Sequence, residues 1–241
     1  MKKLPEVKPT ETEAEYIKSH YGNMKAQDMA DALGISINRV YNICRKLELT
    51  RSDVRILFTH KQHQVIIAGI LGDGNIKRNG SNYYYRETHS KKERGYCEWK
   101  SEILSSMLSK AGFHLTDKCD GQFGFQTINS PSFRWYKKLT TTEVIDELDS
   151  FGACIYLLDD GWAKSPGYCL STGTMDHDAE EYLCDRLNCV LGTSATVIGH
   201  NTISFKKDSM KALTKAMIRN IPSNLDVFER KIQPLVDKLK G

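Results

Sequence analysis

The 241-residue sequence lacks several patterns that would point to particular classes of protein. No apolar run approaches the roughly 20 residues that a membrane-spanning helix needs, so we expect no membrane span. The seven cysteines include no Cys-x-x-Cys pair, and no cysteine pair lies near the histidines, which argues against a zinc site. The number of cysteines is odd, and residues 1–5 lead into a charged stretch rather than an apolar one. Both features predict that the thiols are reduced. We therefore expect a bacterial or phage-encoded cytoplasmic protein, or one of an organellar matrix, that is not secreted.

A strong excess of charge of one sign is also missing. The chain has 34 Lys and Arg residues against 30 Asp and Glu residues, for a net charge of +4. This balance permits nucleic-acid binding without arguing for it. The length is ample for a sizeable core and predicts one or two domains.

Two apolar segments of the chain end alike. Residues 67–74 (IAGILGDG) and 153–161 (ACIYLLDDG) each combine apolar and small residues with an acidic residue and then glycine. Such runs favour buried helices, and the final glycine stands where glycine commonly ends a helix. Small residues at 68, 69, 72 and 152–154 would let two such helices pack closely.

Packing of these helices would place Asp73 and Asp160 side by side. Two carboxylates suit a hard cation such as Mg²⁺, the usual agent of phosphodiester hydrolysis. Each segment alone is better explained as a core helix that ends in an acidic turn. Two in one chain, with matching flanks, favour the paired site.

The amino-terminal third predicts a helix-turn-helix over 26–43. Ala30 is small where two helices would cross, Gly34 stands where the turn needs a positive φ, and Ser36 is placed to cap the second helix. The alternative is a small three-helix interaction module. If the second helix enters the major groove of DNA, its exposed face would present amide, hydroxyl and cationic groups to bases and phosphates. These candidate DNA contacts are Ser36, Asn38, Arg39, Asn42, Arg45 and Lys46.

The rest of the chain predicts a duplicated unit. The first motif is followed by a hairpin turning at Asn79-Gly80, a helix opened by a capping box at 90–93 and ended by Gly112, and a hairpin turning at Asp120-Gly121. The second half repeats this order, with a hairpin at 165–167, a helix over 178–190, a hairpin at 199–201 and a helical region over 208–240. The order helix–hairpin–helix–hairpin–helix thus occurs twice.

This pattern predicts an α+β fold whose two antiparallel sheets lie side by side as a saddle. One face of each sheet packs on helices, and the other is free to read DNA in the major groove. The alternative is a solvated sheet face. The predicted free faces carry Asn75, Lys77, Arg78, Asn82, Tyr84, Arg86, Lys118, Gln122, Gln126, Lys164, Tyr168, Thr172, Thr196, Asn201, Lys206 and Lys207.

The predicted organisation has four parts. They are a flexible tail over 1–12, a helix-turn-helix domain over 13–50, a linker over 51–61, and a larger domain over 62–241 with halves at 62–140 and 141–241.

The two motif segments resemble the twin motif of the LAGLIDADG homing endonucleases. One branch of that family reads G-x-x-x-G-D-G first and A-x-W-x-M-D-D-G second. Here Ala68 replaces the leading glycine, and Cys154, Tyr156 and Leu158 replace the Ala, Trp and Met. The resemblance covers about 62–232. It includes the stretch His89-Ser90-Lys91-Lys92 with Tyr96 and Trp99-Lys100, and the linking segment 133–139.

This resemblance implies a pseudo-twofold αββαββα domain that acts as a monomer on a long double-stranded DNA target. The implied reaction is metal-dependent hydrolysis of both strands, which leaves 3′ overhangs. Asp73 and Asp160 would bind Mg²⁺, with Mn²⁺ as a substitute, and Gly72 and Asp159 would contribute to the metal site. The family also implies a lysine beside each acid: Lys137, with Lys138 as an alternative, and Lys231, with Arg230 as an alternative.

Two other functions fit the same resemblance. One is a DNA-binding regulator that has lost catalysis, although the intact aspartates weigh against it. The other is a maturase that binds intron RNA.

Overall fold

The computed structural model describes residues 10–21, 24, 26–49, 56–116, 122–164 and 167–240. Within these residues the first part of the chain folds into three helices with a hydrophobic core of their own, which includes Ile17, Met29 and Val40. Gly34 has a φ of +63° in the turn before the third helix, and the Ser36 hydroxyl caps that helix by accepting from the Arg39 amide at 3.3 Å. The three helices are α1 (Glu11–His20), α2 (Ala26–Leu33) and α3 (Ile37–Lys46).

The larger part of the chain contains two similar units. The first comprises α4 (His60–Leu71), β1 (Gly74–Asn79), β2 (Asn82–Ser90), α5 (Arg94–Ile103), β3 (Leu108–Thr116), β4 (Gln122–Thr127) and α6 (Phe133–Lys138). The second comprises α7 (Thr141–Asp146), α8 (Ser150–Asp160), β5 (Gly161–Lys164), β6 (Gly167–Ser171), α9 (His177–Leu191), β7 (Thr196–Val197), β8 (Thr202–Phe205), α10 (Met210–Asn220), α11 (Asp226–Lys231) and α12 (Gln233–Lys240).

The two sheets have the same topology, which confirms the predicted α+β class with two antiparallel four-stranded sheets. Their strand orders are β1-β2-β4-β3 and β5-β6-β8-β7. One face of each sheet packs on helices, and both units share one hydrophobic core that includes Ile67, Tyr85, Ile155 and Tyr168. No described helix is both long and apolar enough to cross a membrane.

The first unit differs from the prediction at three points. Asn79 pairs with Asn82, so the first hairpin turns at Gly80-Ser81 rather than at Asn79-Gly80. The Ser90 side chain makes no cap to the backbone, and its hydroxyl instead donates to the Glu93 carboxylate at 3.5 Å. The helix ends at Ile103 and not at Gly112, which lies within β3.

Other predicted features are placed as follows. The turn at Asp120-Gly121 lies outside the described residues. The helix predicted over 178–190 is α9, and Gly192 ends it with a φ of +66°. The last helical region divides into the three helices α10, α11 and α12.

Candidate active site between the two motif helices

The two motif helices, α4 and α8, begin with side-chain caps and pack against each other. Thr59 caps α4 in a reciprocal box with Gln62, and Asp149 caps α8 by accepting from the Gly152 amide at 2.8 Å. The small residues of α4 and of its end make room for different neighbours. A Cβ at Gly72 would lie 2.8 Å from the Asp159 Cβ, so this glycine allows the helix ends to touch. A Cβ at Gly69 would instead strike the Tyr85 hydroxyl, so Gly69 makes room for the sheet.

The carboxyl ends of these helices bring acidic groups together. Asp73 follows α4, and Asp159 and Asp160 end α8. Burial, followed by the neighbouring carboxylates of Asp159 and Asp73, raises the pKa of Asp160 to about 6. The charge of Asp73 thus acts on Asp160, and the predicted pairing of these two aspartates at a metal stays a prediction.

The side chains of Asp73, His89 and Asp159 converge on one point. One ligand atom from each lies within 4.8 Å of the others. The His89 Nδ1 is 3.2 Å from the Asp73 Oδ2, yet it is buried and makes no hydrogen bond. An orphaned ring nitrogen facing two carboxylates fits a divalent cation, because cations take oxygen and imidazole ligands in this way.

Behind these groups lies a buried ion cluster that the sequence analysis did not predict. The Lys100 ammonium contacts the Glu87 carboxylate and both oxygens of Asp159, at 2.8 and 3.0 Å. The Tyr96 hydroxyl donates to Asp159 at 2.8 Å, and the Tyr85 hydroxyl donates to Glu87. Lys100, Glu87 and Asp159 have fully buried side chains, so the cluster supports the site from within and is closed to solvent.

The pKa values of the two buried acids in this cluster shift in opposite directions. Burial disfavours charge on Glu87, but Lys100 and His89 outweigh it and lower the pKa of Glu87 to about 2. Burial dominates at Asp159, where Lys100 opposes it, and the pKa rises to about 6. Burial also opposes charge on His89, but the carboxylates of Asp73, Glu87 and Glu93 raise its pKa to about 12.

Of the two predicted lysines, Lys231 lies at the site. Its ammonium donates to the Leu158 carbonyl and, at 3.1 Å, to the Asp159 carbonyl, and so satisfies the open carboxyl end of α8. Burial lowers the pKa of Lys231, and its positive charge acts on Asp160.

The other predicted lysine, Lys137, and its alternative Lys138 lie on α6. Both are exposed. The neighbouring Tyr136 hydroxyl contacts His63 at 2.9 Å, in the first turn of α4. That turn is about 15 Å along the helix from Asp73, since each residue adds about 1.5 Å. Tyr136 thus contacts the end of α4 that is opposite to Asp73, and the role of Lys137 beside the acidic pair stays a prediction.

The outer face of the first sheet carries most of the predicted polar side chains. Lys77 pairs with Tyr84, and Arg86 pairs with Gln126, so these four share the face opposite the core residue Tyr85. Asn75 and Gln122 lie on the same face and are exposed.

Two residues predicted for that face are not open on it. Arg78 follows the alternation of the buried Ile76 and so lies on the other face, where its Nε donates to the Gly80 carbonyl at 3.0 Å. Asn82 has the right alternation but is only 3 % exposed. Lys118 lies outside the described residues.

The second sheet corrects two further predictions. Tyr168 is fully buried, and its hydroxyl donates to the Leu157 carbonyl at 2.8 Å. The Thr172 hydroxyl is buried and donates to Glu180, so it is not available to DNA. Exposed positions on or beside the outer face are Lys164, Thr196, Asn201, Lys206 and Lys207. Trp162 is 41 % exposed on the same face; strand alternation from Gly161 could have indicated it.

On α3 the predicted contacts separate into two groups. Arg39 is held by Glu13 through two hydrogen bonds of 2.9 and 2.8 Å, which makes it a link between α1 and α3. Asn38 and Asn42 are exposed, and the Arg45 guanidinium reaches Asn42 at 3.3 Å. The exposed residues at the start and end of the helix are Ser36 and Lys46. Tyr41, 53 % exposed among these groups, was missed.

Comparison with known proteins agrees with this geometry. The model of the LAGLIDADG DNA endonuclease family matches residues 63–213. Among curated proteins, no sequence matches this chain. The solved structure of the homing endonuclease I-WcaI bound to its DNA recognition sequence is similar in fold, with a TM-score of 0.59 and 15% identity, and the alignment covers 81% of this chain and 94% of that one.

Two other solved structures are more distant. I-SmaMI bound to cleaved DNA gives a TM-score of 0.45 at 11% identity over 74% of this chain and 87% of that one. I-DmoI in complex with DNA and Mn gives a TM-score of 0.45 at 14% identity, over 66% of this chain and 98% of that one. The family match covers both motif helices and both sheets, and the fold agrees with that of I-WcaI. The chain therefore belongs to the LAGLIDADG DNA endonuclease family.

Proposed function

We propose that this protein is a site-specific homing endonuclease that makes a staggered double-strand break by metal-dependent hydrolysis. The observation that carries the proposal is the convergence of Asp73 with Asp159, the residue next to Asp160, where two pseudo-equivalent helices meet. Two sheets of identical strand order flank this point, so a single chain carries two half-sites. A monomer of this kind would address the two strands of one DNA duplex.

Asp73 and Asp160 would hold the cation, with Gly72 and Asp159 adjacent. Asp73 is partly exposed and Asp160 is half-buried, so both would be open to a cation. Mg²⁺, with Mn²⁺ as a substitute, fits these carboxylates and would supply Lewis-acid stabilisation of the scissile phosphates. The packed helix ends fix the spacing of the aspartates, because Gly72 lets Asp159 approach α4 directly.

Lys231 would assist the half-site of Asp160. Its ammonium is anchored on the carbonyls at the end of α8. From there its charge favours ionised Asp160 and would stabilise negative charge that develops on a nearby phosphate. Lys100 is fully buried and so serves to hold Asp159 and Glu87 rather than to touch DNA.

The outer sheet faces would follow the major groove on either side of the cut. Their exposed Lys, Arg, Gln and Asn side chains can reach base edges and phosphates. We further propose that residues 13–50 form a separate helix-turn-helix module that reads one flank of the target. The support is the turn at Gly34, the cap at Ser36 and the polar exposed side of α3.

The test is cleavage of the locus in which the gene resides. Purified protein with Mg²⁺ is incubated with that genomic locus lacking the insertion. We expect one double-strand cut with 3′ overhangs, no cut without divalent cation, and no cut of a control locus. Sequence-specific binding with no cleavage in Mg²⁺ or Mn²⁺ would contradict the proposal and favour a regulator.

A further inference from the structure

His89 is the last residue but one of β2, and its side chain, which is only 1 % exposed, faces Asp73. Its Nε2 donates to the Glu87 Oε1 at 2.7 Å. Glu87 also accepts from the Lys100 ammonium and from the Tyr85 hydroxyl, so it acts as the acceptor in this bond, which holds a proton on Nε2. The other ring nitrogen, Nδ1, is therefore the atom left to face the acidic pair.

The surroundings of Nδ1 are those of a ligand atom. It is buried and makes no hydrogen bond, and its charged neighbours are the Asp73 Oδ2 at 3.2 Å and the Glu93 Oε2 at 3.8 Å, so a cation bound there would displace the proton that these carboxylates favour on Nδ1. Two ligands that bind one cation at right angles, each at about 2.1 Å, lie about 3 Å apart. A carboxylate that orients a histidine towards a metal from behind is the usual arrangement at protein metal sites.

At the equivalent strand position, the second half of the chain has a different residue. Glu87 pairs with Gly74 after the first motif, and Leu170 pairs with Gly161 after the second. His89 therefore corresponds to Thr172, two residues beyond Leu170. The Thr172 hydroxyl is buried and donates to Glu180. The two halves thus share a backbone plan but offer different donor atoms.

We propose that His89 is a ligand, through Nδ1, of the divalent cation held by Asp73, and that Glu87 orients it. The cation itself rests on the proposed function. A nitrogen donor binds Mn²⁺ more readily than Mg²⁺, because Mg²⁺ prefers oxygen. The Asp73 side of the site therefore favours Mn²⁺ over Mg²⁺ more strongly than the Asp160 side does.

The test uses the full chain with Mn²⁺ alone and follows nitrogen coordination by electron spin-echo spectroscopy. We expect ¹⁴N modulation from imidazole, which changes to the ¹⁵N pattern when histidine is ¹⁵N-labelled. His89→Gln retains an amide that can donate to Glu87 but removes Nδ1, so the modulation should disappear. Mn²⁺ affinity at that site should fall by at least about 10-fold. His177→Gln, at an exposed histidine, is the matched control and should change neither.

Two further variants keep the test decisive. Glu87→Gln can still accept from Nε2 and should retain the modulation with weaker Mn²⁺ binding. Asp160→Ala should also retain it. Absence of nitrogen modulation in the unaltered protein, or its survival in His89→Gln, would overturn the proposal and leave His89 as a charged partner of Asp73. Site-specific cleavage by a protein without nitrogen modulation would refute the ligand and leave the nuclease function standing. Nitrogen modulation without site-specific cleavage would support the His89 ligand and contradict the nuclease function.

Discussion

Replacement of Lys100 by methionine tests whether the buried ion cluster holds the acidic end of α8. The ammonium contacts Glu87 and both oxygens of Asp159, and all three side chains are closed to solvent. Methionine retains most of the volume of the lysine stem but removes its charge. Asp159 then keeps only the Tyr96 hydroxyl, at 2.8 Å, as a partner within the cluster.

We expect a large decrease in the free energy of unfolding. Removal of one partner from a buried ion pair costs about 3–5 kcal/mol, because the other charge stays buried without compensation. The deficit should shrink as the pH falls from about 7 to about 5. Burial already raises the pKa of Asp159 to about 6, and loss of Lys100 raises it further. A group whose folded-state pKa exceeds its unfolded value stabilises the fold when protonated, so acid should rescue the variant relative to the unaltered protein.

The assay is guanidinium chloride unfolding at several pH values. Lys77→Met, on the exposed outer face of the first sheet, is the matched control and should change the free energy of unfolding by less than about 0.5 kcal/mol. An unchanged free energy of unfolding in Lys100→Met would refute the account of the cluster. A deficit that does not vary with pH would refute the assignment of the cost to buried carboxylates.

Three other predictions follow from contacts at the site and on α3. Lys231→Met should move the acid limb of the cleavage–pH profile to higher pH, because Lys231 lowers the pKa of Asp160; an unmoved limb would contradict this. Gly72→Ala should lower the free energy of unfolding by about 1–3 kcal/mol, since its Cβ would lie 2.8 Å from the Asp159 Cβ. Asn42→Ala should weaken DNA binding and leave the log–log salt slope nearly unchanged, because a neutral amide releases no counterions; an unchanged footprint and affinity would favour an interaction module.

The sequence predicted the parts of the fold that depend on local pattern. Small residues followed by an acid and glycine identified both motif helices. Alternation and turn residues identified strands in both units, and the repeated order predicted two similar sheets. Gly34 and Ser36 marked the turn before α3 because a positive φ and a helix cap each need particular residue types.

The remaining errors have tertiary causes. Lys100 meets Glu87 and Asp159 only after β2, α5 and α8 have packed, so no local pattern identifies it as buried. Arg39 and Thr172 look available in the sequence, but each is bound to an acid elsewhere in the fold. Where such acids lie is decided by packing and not by spacing along the chain.

Errors of one residue in strand alternation have a larger effect than errors at helix ends. Arg78 was assigned to the outer face, but its pairing opposite Tyr83 places it with Ile76. A shift of one residue moves a side chain to the other face of the sheet.

The most direct measurement of the central claim compares cleavage and binding in two single variants, Asp73→Ala and Asp160→Ala. Each aspartate lies at the end of a motif helix and should bind metal rather than DNA. We predict that each variant loses double-strand cleavage in Mg²⁺ while DNA binding in Ca²⁺ survives. Normal double-strand cleavage by either variant, in a preparation free of the unaltered protein, would contradict a site built on these two aspartates.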